Sequence, residues 1–331
     1  MIVSFIRKEN PSHSEMLIAM TGGMVIPSPK FTGSSRLHPD GRPKKAFRDL
    51  LRTVPNFRNS FSVILSLSFL PLIVWITTTY NHPLVWVFSI LGMGLAQNRL
   101  FIISHEAAHR LLFSNQKIND LVGIRLIGWL AFGSGSHGYR IGHIRHHRDE
   151  FGPQEPDFLL YSFYPISKSS MRRKLLRDLS GISAFRIIRP RFQRLNEVRH
   201  LRLTISFLSG QLTIATLFWV FSNLTTYFLL WILPWTCVYQ ILNRVRAISE
   251  HGGMTQSSDR RKTTHYVQQN RLANFFIVPF NVGYHLAHHV VMLVPYKNLP
   301  LLDRALVEDG YISSDLIWPN YRSLLKALIL K

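Results

Sequence analysis

The stretch His143-Ile144-Arg145-His146-His147 carries three histidines at positions i, i+3 and i+4. On an α-helix this spacing places all three imidazole rings on one face. The spacing recurs at His285-Leu286-Ala287-His288-His289, and a two-histidine version, His105-Glu106-Ala107-Ala108-His109, precedes both. Chance would give about 0.03 such triples in a chain of this composition, so two of them require a cause. Clustered imidazoles are typical of metal sites.

Two long segments of the chain, 59–98 and 203–243, contain no Lys, Arg, Asp or Glu. Uncharged stretches of this length are unusual in soluble domains, and each is long enough to cross a bilayer twice as helices. Each segment divides around a short polar turn. The pattern therefore predicts four membrane spans, at about 61–79, 84–103, 203–221 and 226–243.

The basic residues indicate the orientation of these spans. All 39 Lys and Arg residues lie in 1–58, 99–202 and 244–331, and the two hairpin turns hold none. By the positive-inside rule, both termini and all three histidine motifs face the cytoplasm. The predicted fold is an all-α integral membrane protein, with four transmembrane helices in two hairpins and a cytoplasmic helical cap that carries the histidines.

The chain is expected to divide into three parts. Residues 1–58 form a basic cytoplasmic arm, 59–300 form the membrane domain with its histidine motifs, and 301–331 form a cytoplasmic tail. The single Cys237 lies inside an uncharged segment, which excludes a disulfide framework and a thiolate metal site.

The net charge of +21 would suggest a nucleic-acid partner in a soluble protein. In a membrane protein, orientation and anionic headgroups account for the same excess, so we expect no nucleic-acid partner. The strongly basic run 168–202 favours a face against anionic lipid. Docking of an acidic electron donor is the alternative for this run.

The three histidine motifs, in this order and between apolar segments, resemble the histidine boxes of the integral-membrane fatty acid desaturase and hydroxylase superfamily. The resemblance runs from about Asn98 to Pro300. Bacterial acyl desaturases are similar also at Ser104-His105-Glu106-Ala107-Ala108-His109-Arg110, Gly152-Pro153-Gln154-Glu155-Pro156-Asp157 and Asn281-Val282-Gly283-Tyr284-His285. The resemblance implies an oxygen-dependent di-iron desaturase that introduces a double bond into an acyl chain of a lipid or thioester. It also implies the inner membrane of a bacterium.

The resemblance implies a ligand set for two iron ions, with dioxygen as co-substrate. Family members typically add a lone histidine at the foot of the fourth span, which corresponds to His251. The implied ligands are His105, His109, His143, His146, His147, His251, His285, His288 and His289. No catalytic residue is expected beyond these ligands.

Ligating histidines usually donate their second ring N–H to a carboxylate or a carbonyl. The carboxylates near the motifs are Glu106, Asp149, Glu150, Asp157 and Glu250. Of these, Glu106 and Asp157 are favoured as supports for the ligands, and Asn281 is placed beside the site with them. The chain shows no CxxC iron–sulfur pattern and no GxGxxG fingerprint, so electrons are expected from a separate ferredoxin-, rubredoxin- or cytochrome-type partner.

Three alternatives stay open at this point. A hydroxylase or ketolase of the same superfamily would act on a fatty acyl, sphingolipid or carotenoid substrate with the same centre. The motif at 105–109 is also a literal HExxH, which is the signature of a zinc metalloprotease with Glu106 as general base, but zinc catalysis leaves both triples unexplained. A transporter or scaffold would predict ionisable residues within the spans, where there are almost none.

Overall fold

The computed structural model describes residues 12–132 and 136–330, so the first eleven residues of the predicted basic arm lie outside the described part. The described chain is mostly helical. Its strands have two residues each and pair in parallel, β1 (Ile166–Ser167) with β4 (Ile329–Leu330) and β2 (Tyr266–Val267) with β3 (Ile317–Trp318).

The helices vary from single turns to stretches that could cross a membrane. The α-helices are α1 (His13–Met20), α2 (Lys45–Leu51), α3 (Asn56–Tyr80), α4 (Pro83–Ala108), α5 (Gln116–Asn119), α6 (Gly128–Phe132), α7 (His137–Arg148), α8 (Phe158–Tyr161), α9 (Lys168–Leu179), α10 (Ile182–Phe192), α11 (Val198–Phe221), α12 (Leu224–Tyr227), α13 (Leu233–Thr236), α14 (Val238–His251), α15 (Arg271–Phe276), α16 (His285–Val290), α17 (Leu299–Glu308) and α18 (Tyr321–Leu328). Two π-helical segments, Asp120–Ile127 and Phe228–Ile232, and three 3₁₀ turns, Arg260–Lys262, Pro279–Asn281 and Ser314–Leu316, complete the helical part.

Four helical stretches of the described chain are long and apolar enough to cross a membrane. They are Lys45–Tyr80, Pro83–Ala108, Val198–Phe221 and Leu224–His251. Each contains one predicted span, and the chain is a membrane protein. The helices extend beyond the predicted spans, since α4 continues to Ala108 and α14 to His251, and the span ends at 103 and 243 stay a prediction. Backbone hydrogen bonding does not stop where the apolar residues stop, so a helix can carry polar ligands beyond the bilayer. The arrangement in two hairpins with a cytoplasmic cap stays a prediction.

Close packing between α4 and α14 brings His105 of the first motif and the lone His251 into the same region. A Cβ atom at Gly94 of α4 would overlap the side chain of Val238 in α14, so glycine permits this approach. Small residues at such crossings are typical of membrane helices. The Gln97 side chain adds a hydrogen bond to the Trp231 carbonyl at 2.9 Å. The C-terminal ends of both helices, with His105 and His251, therefore enter the same region.

The last helices of the chain pack onto the part that carries the third histidine motif. Leu302 and Leu306 of α17 are fully buried in one core cluster with Leu286 and Val290 of α16. Leu324 and Leu328 of α18 are buried in a second cluster with Ile102 of α4. The predicted division of the chain after residues 58 and 300 stays a prediction, but residues 301–330 share their core with the preceding segment.

Candidate metal centre

Four separate helices deliver nine histidine side chains to one buried region. Helix α4 carries His105 and ends one residue before His109; α7 carries His143, His146 and His147; α14 ends at His251; and α16 carries His285, His288 and His289. All nine side chains are buried. The structure thus brings together every histidine that the sequence predicted for the site.

The first group consists of four histidines from three helices. His105, His109, His143 and His288 each place one ring nitrogen within 4.8 Å of the others. The Nε2 atoms of His109 and His143 are 2.9 Å apart. Within the described chain, Nε2 of His105 and Nε2 of His288 are buried without a hydrogen-bond partner. Burial lowers the pKa of His109 to about 3, so its ring is neutral and keeps a lone pair for a metal.

The second group also consists of four histidines from three helices, α7, α14 and α16. His146, His251, His285 and His289 also place ring nitrogens within 4.8 Å of one another. Nε2 of His251 is 3.1 Å from Nε2 of His285, and Nε2 of His146 is 3.4 Å from Nε2 of His289. In both groups, ring nitrogens of different helices point at one another.

His147 lies between the two groups. Its Nε2 is 3.1 Å from Nε2 of His143, which belongs to the first group. Its ring stacks on His289 of the second group, with the centroids 4.3 Å apart and the planes inclined by 28°. The ninth histidine therefore contacts both groups, and this geometry is compatible with its serving either.

Carboxylates surround only one of the two groups. Among the described residues, the ones that contact these histidine rings are Glu155 at His146 Nδ1 (2.9 Å), Glu150 at His251 Nδ1 (3.0 Å) and His289 Nδ1 (3.4 Å), and Glu250 at His285 Nδ1 (3.5 Å). Every one of these histidines belongs to the second group. Glu150 is held in turn by Arg260 and by the hydroxyl of Thr264.

The contact between His146 and Glu155 changes the protonation of the ring. Burial alone would lower the pKa of His146, but the hydrogen bond and the negative charge of Glu155 outweigh burial and raise it to about 9. The Nδ1 proton is thus held by the carboxylate, and Nε2 faces the rest of the second group. A carboxylate that accepts this proton orients the ring and makes the other nitrogen a stronger donor to a metal.

The supporting residues favoured from sequence have different surroundings. Asp157 lies close to the site, because a carboxylate oxygen of Asp157, a carboxylate oxygen of Glu155 and a ring nitrogen of His146 lie within 4.8 Å of one another. The carboxylate of Glu106 accepts a hydrogen bond from the backbone N–H of Tyr296 at 3.0 Å. Asn281 exchanges hydrogen bonds with Asn274, at 3.0 and 3.2 Å.

Sequence reasoning did not single out Glu155 as a support for a ligand. The residue lies in the irregular segment between α7 and α8, nine positions after His146. No helical or strand periodicity relates two residues across such a segment. Its place in the family-like stretch Gly152-Pro153-Gln154-Glu155-Pro156-Asp157 was the one sequence signal that could have indicated a role at the site.

The first motif does not have the surroundings of a zinc protease. His105 and His109 share their group with two further histidines, His143 and His288, whereas catalytic zinc is held by about three protein ligands and an open position. The general base of an HExxH site has to reach a metal-bound water, but the buried Glu106 carboxylate is engaged by Tyr296. The geometry does not favour the protease alternative.

A cavity of about 910 Å³ leads away from the histidines. It starts beside His105, His143 and His251 and runs between α10, α11, α13 and α14. Its lining is mostly apolar. The indole N–H of Trp231, which also lines the cavity, donates to the Gln211 side-chain oxygen at 3.2 Å. An elongated molecule in this cavity could reach the histidines with one portion.

Comparison with known proteins identifies the family of this chain. A family model described as fatty acid desaturase matches residues 80–319. The chain belongs to the fatty acid desaturase family. The matched region includes all nine histidines, so the resemblance inferred from the three motifs is confirmed.

Two curated relatives of this family member are also desaturases by name. One is dihydrorhizobitoxine desaturase from Bradyrhizobium elkanii, 26% identical over 256 residues, which cover 70% of this chain and 72% of the relative. The other is sn-1 oleoyl-lipid 12-desaturase from Arthrospira platensis, 39% identical over 66 residues, which cover 20% of this chain and 17% of the relative. Family and relatives indicate an oxidoreductase of the desaturase type.

Proposed function

We propose that this family member is a membrane-bound, dioxygen-dependent di-iron desaturase that introduces a double bond into an acyl chain of a lipid or thioester. The observation that carries the proposal is the pair of buried four-histidine groups with His147 between them. Zinc enzymes need fewer histidines, and electron-transfer iron–sulfur sites need several thiolates, whereas the chain has the single cysteine Cys237.

The residues fit two iron ions. One ion would be held by His105, His109, His143 and His288 and the other by His146, His251, His285 and His289, with His147 shared or assigned to either. Neutral imidazole is a good ligand for iron, and the partnerless Nε2 atoms of His105 and His288 have no other role in the described structure. The bound ions would supply the dioxygen activation that cleavage of an unactivated C–H bond requires.

The protein supplies position and exclusion of water. The apolar cavity would hold the acyl chain so that two adjacent carbons lie against the histidines, and Glu150 and Glu155 would keep the rings of the second group in place. No other side chain needs to act as an acid or base on the substrate.

The reaction requires a partner that donates electrons. Two hydrogens leave the substrate as the double bond forms, and reduction of one dioxygen to two waters consumes two further electrons and two protons. A ferredoxin-, rubredoxin- or cytochrome-type protein is the expected donor. We propose the bacterial inner membrane as the location, with the centre and both termini on the cytoplasmic side, because the Lys and Arg residues lie outside the uncharged hairpins.

The deciding experiment is the lipid profile, by mass spectrometry, of a desaturase-deficient bacterial host that expresses this chain. Loss of two hydrogens from an acyl chain is the expected result, and it should disappear with His146→Ala. The matched control is His137→Ala, because His137 is an exposed histidine on the same helix.

Two outcomes would count against the proposal. Gain of one oxygen without a double bond would identify a hydroxylase instead. An unchanged lipid profile from protein that carries two irons and receives reductant would contradict acyl desaturation altogether.

A further inference from the structure

A buried arginine lines the cavity next to the histidines and is not explained by metal binding. Arg246 lies on α14, five residues before His251, and its exposed fraction is 8%. It borders the same cavity as His105, His251 and His285. A guanidinium that is buried and only partly paired is costly, so it requires an explanation.

The contacts of Arg246 leave donor capacity unused. Nη2 donates to the Asn243 side chain at 3.3 Å, while Nη1 is 3.8 Å from the Glu250 carboxylate, which is longer than a hydrogen bond. The guanidinium lies over the Phe101 ring at 4.8 Å. Nε is buried and has no hydrogen-bond partner among the described residues. A guanidinium has five N–H donors, so at least one here lacks an acceptor.

The polarity of the cavity lining decreases with distance from Arg246. Glu250 and Asp157 line the cavity together with the histidines, whereas Phe207 of α11 and Trp231 and Ile232 of the π-helical segment Phe228–Ile232 form a mostly apolar part that includes Gln211. Trp231 precedes Arg246 by fifteen residues of the helical stretch Leu224–His251. A molecule with an oxygen-bearing end and a long apolar remainder matches this gradient.

We propose that Arg246 binds an acceptor oxygen of the substrate, either a carboxylate or a carbonyl, and so holds the polar end of the substrate beside the histidines. The apolar remainder then extends between α11 and α14 towards Trp231. This inference rests on the proposed function for the identity of the bound molecule as the substrate. Its consequence is that the reacting carbons lie within a few bonds of the polar end.

The other cationic side chain of the cavity, Arg191, defines the opposite orientation. It lies on α10 over the Phe207 ring, at 5.1 Å. If the polar end were bound there, the substrate would run in the reverse direction. Arg99 provides a matched control, since it is also on a membrane-spanning helix, lies 4.6 Å from the Phe280 ring and has a buried, partnerless Nε, but does not line the cavity.

The test measures binding by the full chain with its metal content determined. The probes are dodecanoate, methyl dodecanoate and dodecane, each brominated at the chain end. The signal is the part of the tryptophan fluorescence quenching that is lost when Trp231 and Trp235, which line the cavity, are replaced by Phe. Every variant is compared with the unmodified chain in the same micelles, so partition of the probe into detergent cancels from the ratio of their affinities.

Arg246→Gln should weaken binding of both oxygen-bearing probes by roughly tenfold or more, because hydrogen bonds to charged donors are among the stronger ones, and should leave dodecane unchanged. Arg246→Lys should retain part of the dodecanoate affinity, and Arg99→Gln should change none of the three. If Arg246→Gln weakens binding of dodecanoate more than binding of its methyl ester, the acceptor that Arg246 binds is a carboxylate. If binding of both probes weakens equally, the acceptor is a carbonyl.

Two results would overturn the inference. Equal weakening of all three probes by Arg246→Gln would mean that Arg246 only braces Glu250 and the protein around it. If Arg191→Gln, and not Arg246→Gln, selectively weakened binding of the two oxygen-bearing probes, the polar end of the substrate would lie at α10. Turnover is not needed for any of these measurements, so failure of acyl desaturation and failure of oxygen binding at Arg246 are distinguishable.

Discussion

The carboxylate of Glu106, between the two histidines of the first motif, accepts a hydrogen bond from the backbone N–H of Tyr296 at 3.0 Å, and both residues are buried. Tyr296 follows the third motif by seven residues. The contact therefore ties the end of α4 to the segment after α16. It makes Glu106 a brace between two histidine motifs instead of a base directed at the metal site.

Substitution of Glu106 tests this brace. Glu106→Ala should destabilise the protein by about 1–3 kcal/mol, because it leaves the buried Tyr296 N–H without an acceptor. Glu106→Gln retains an acceptor oxygen and should keep most of the stability, the iron content and the turnover. Denaturant unfolding, metal analysis and product formation provide the measurements. Loss of turnover in Glu106→Gln with full metal content would instead indicate a chemical role for the carboxylate.

Removal of one histidine from the second group should abolish turnover without preventing membrane insertion. In His146→Ala we expect at least one iron to be lost, because that group keeps only three of its four histidines. His137→Ala should behave like the unmodified protein. Metal analysis of purified protein, combined with the acyl profile of the host, checks this. Normal product formation by purified His146→Ala would refute the assignment of His146.

The uneven distribution of carboxylates predicts uneven metal affinity. Glu150→Gln and Glu155→Gln should each weaken metal binding by about 10–100-fold at the second group, whose rings these carboxylates contact, and leave the first group filled. The expected stoichiometry after dialysis falls from two irons towards one. Asp149→Asn is the control, because its carboxylate bonds to the Gln154 N–H at 2.8 Å. Equal loss of both irons would contradict the division into two groups.

A buried carboxyl outside the site predicts a pH-dependent stability. Burial raises the pKa of Asp303 to about 7, although the Tyr266 hydroxyl donates to its Oδ2 at 3.1 Å. The folded protein thus holds a proton at pH values where the unfolded chain, with an ordinary pKa near 4, has lost it. Stability should therefore fall as pH rises from about 4 to about 7 and then become constant, with a total loss of up to about 4 kcal/mol.

Asp303→Asn removes the titrating group and should flatten this dependence. Unfolding midpoints of both proteins at pH 5 and pH 8 measure the effect. We expect the asparagine variant to be the more stable of the two at pH 8 and the difference to shrink at pH 5. A larger advantage for the variant at pH 5 would show the opposite sign of linkage and contradict the raised pKa.

Much of the fold and the site could be predicted because the signals are local. The uncharged segments 59–98 and 203–243 predicted four spans, since bilayer thickness sets how many apolar residues a helix needs. The i, i+3, i+4 spacing within each motif predicted which histidines share a helix face. The division between groups was not predictable in this way, since His143 and His146 lie one turn apart on α7 yet belong to different groups.

By itself, the sequence determined the membrane class, the four apolar stretches and the eight histidines of the three motifs, because hydrophobic length and helical spacing act between residues close in the chain, whereas His251 was implied by the family resemblance. Only the tertiary structure decided that Glu106 binds Tyr296, that Glu155 and Glu150 bind the histidines, and that Arg246 faces the cavity. Most of these contacts join segments far apart in sequence, and Glu155 reaches His146 across an irregular loop. Helix packing sets such distances, and no local periodicity encodes them.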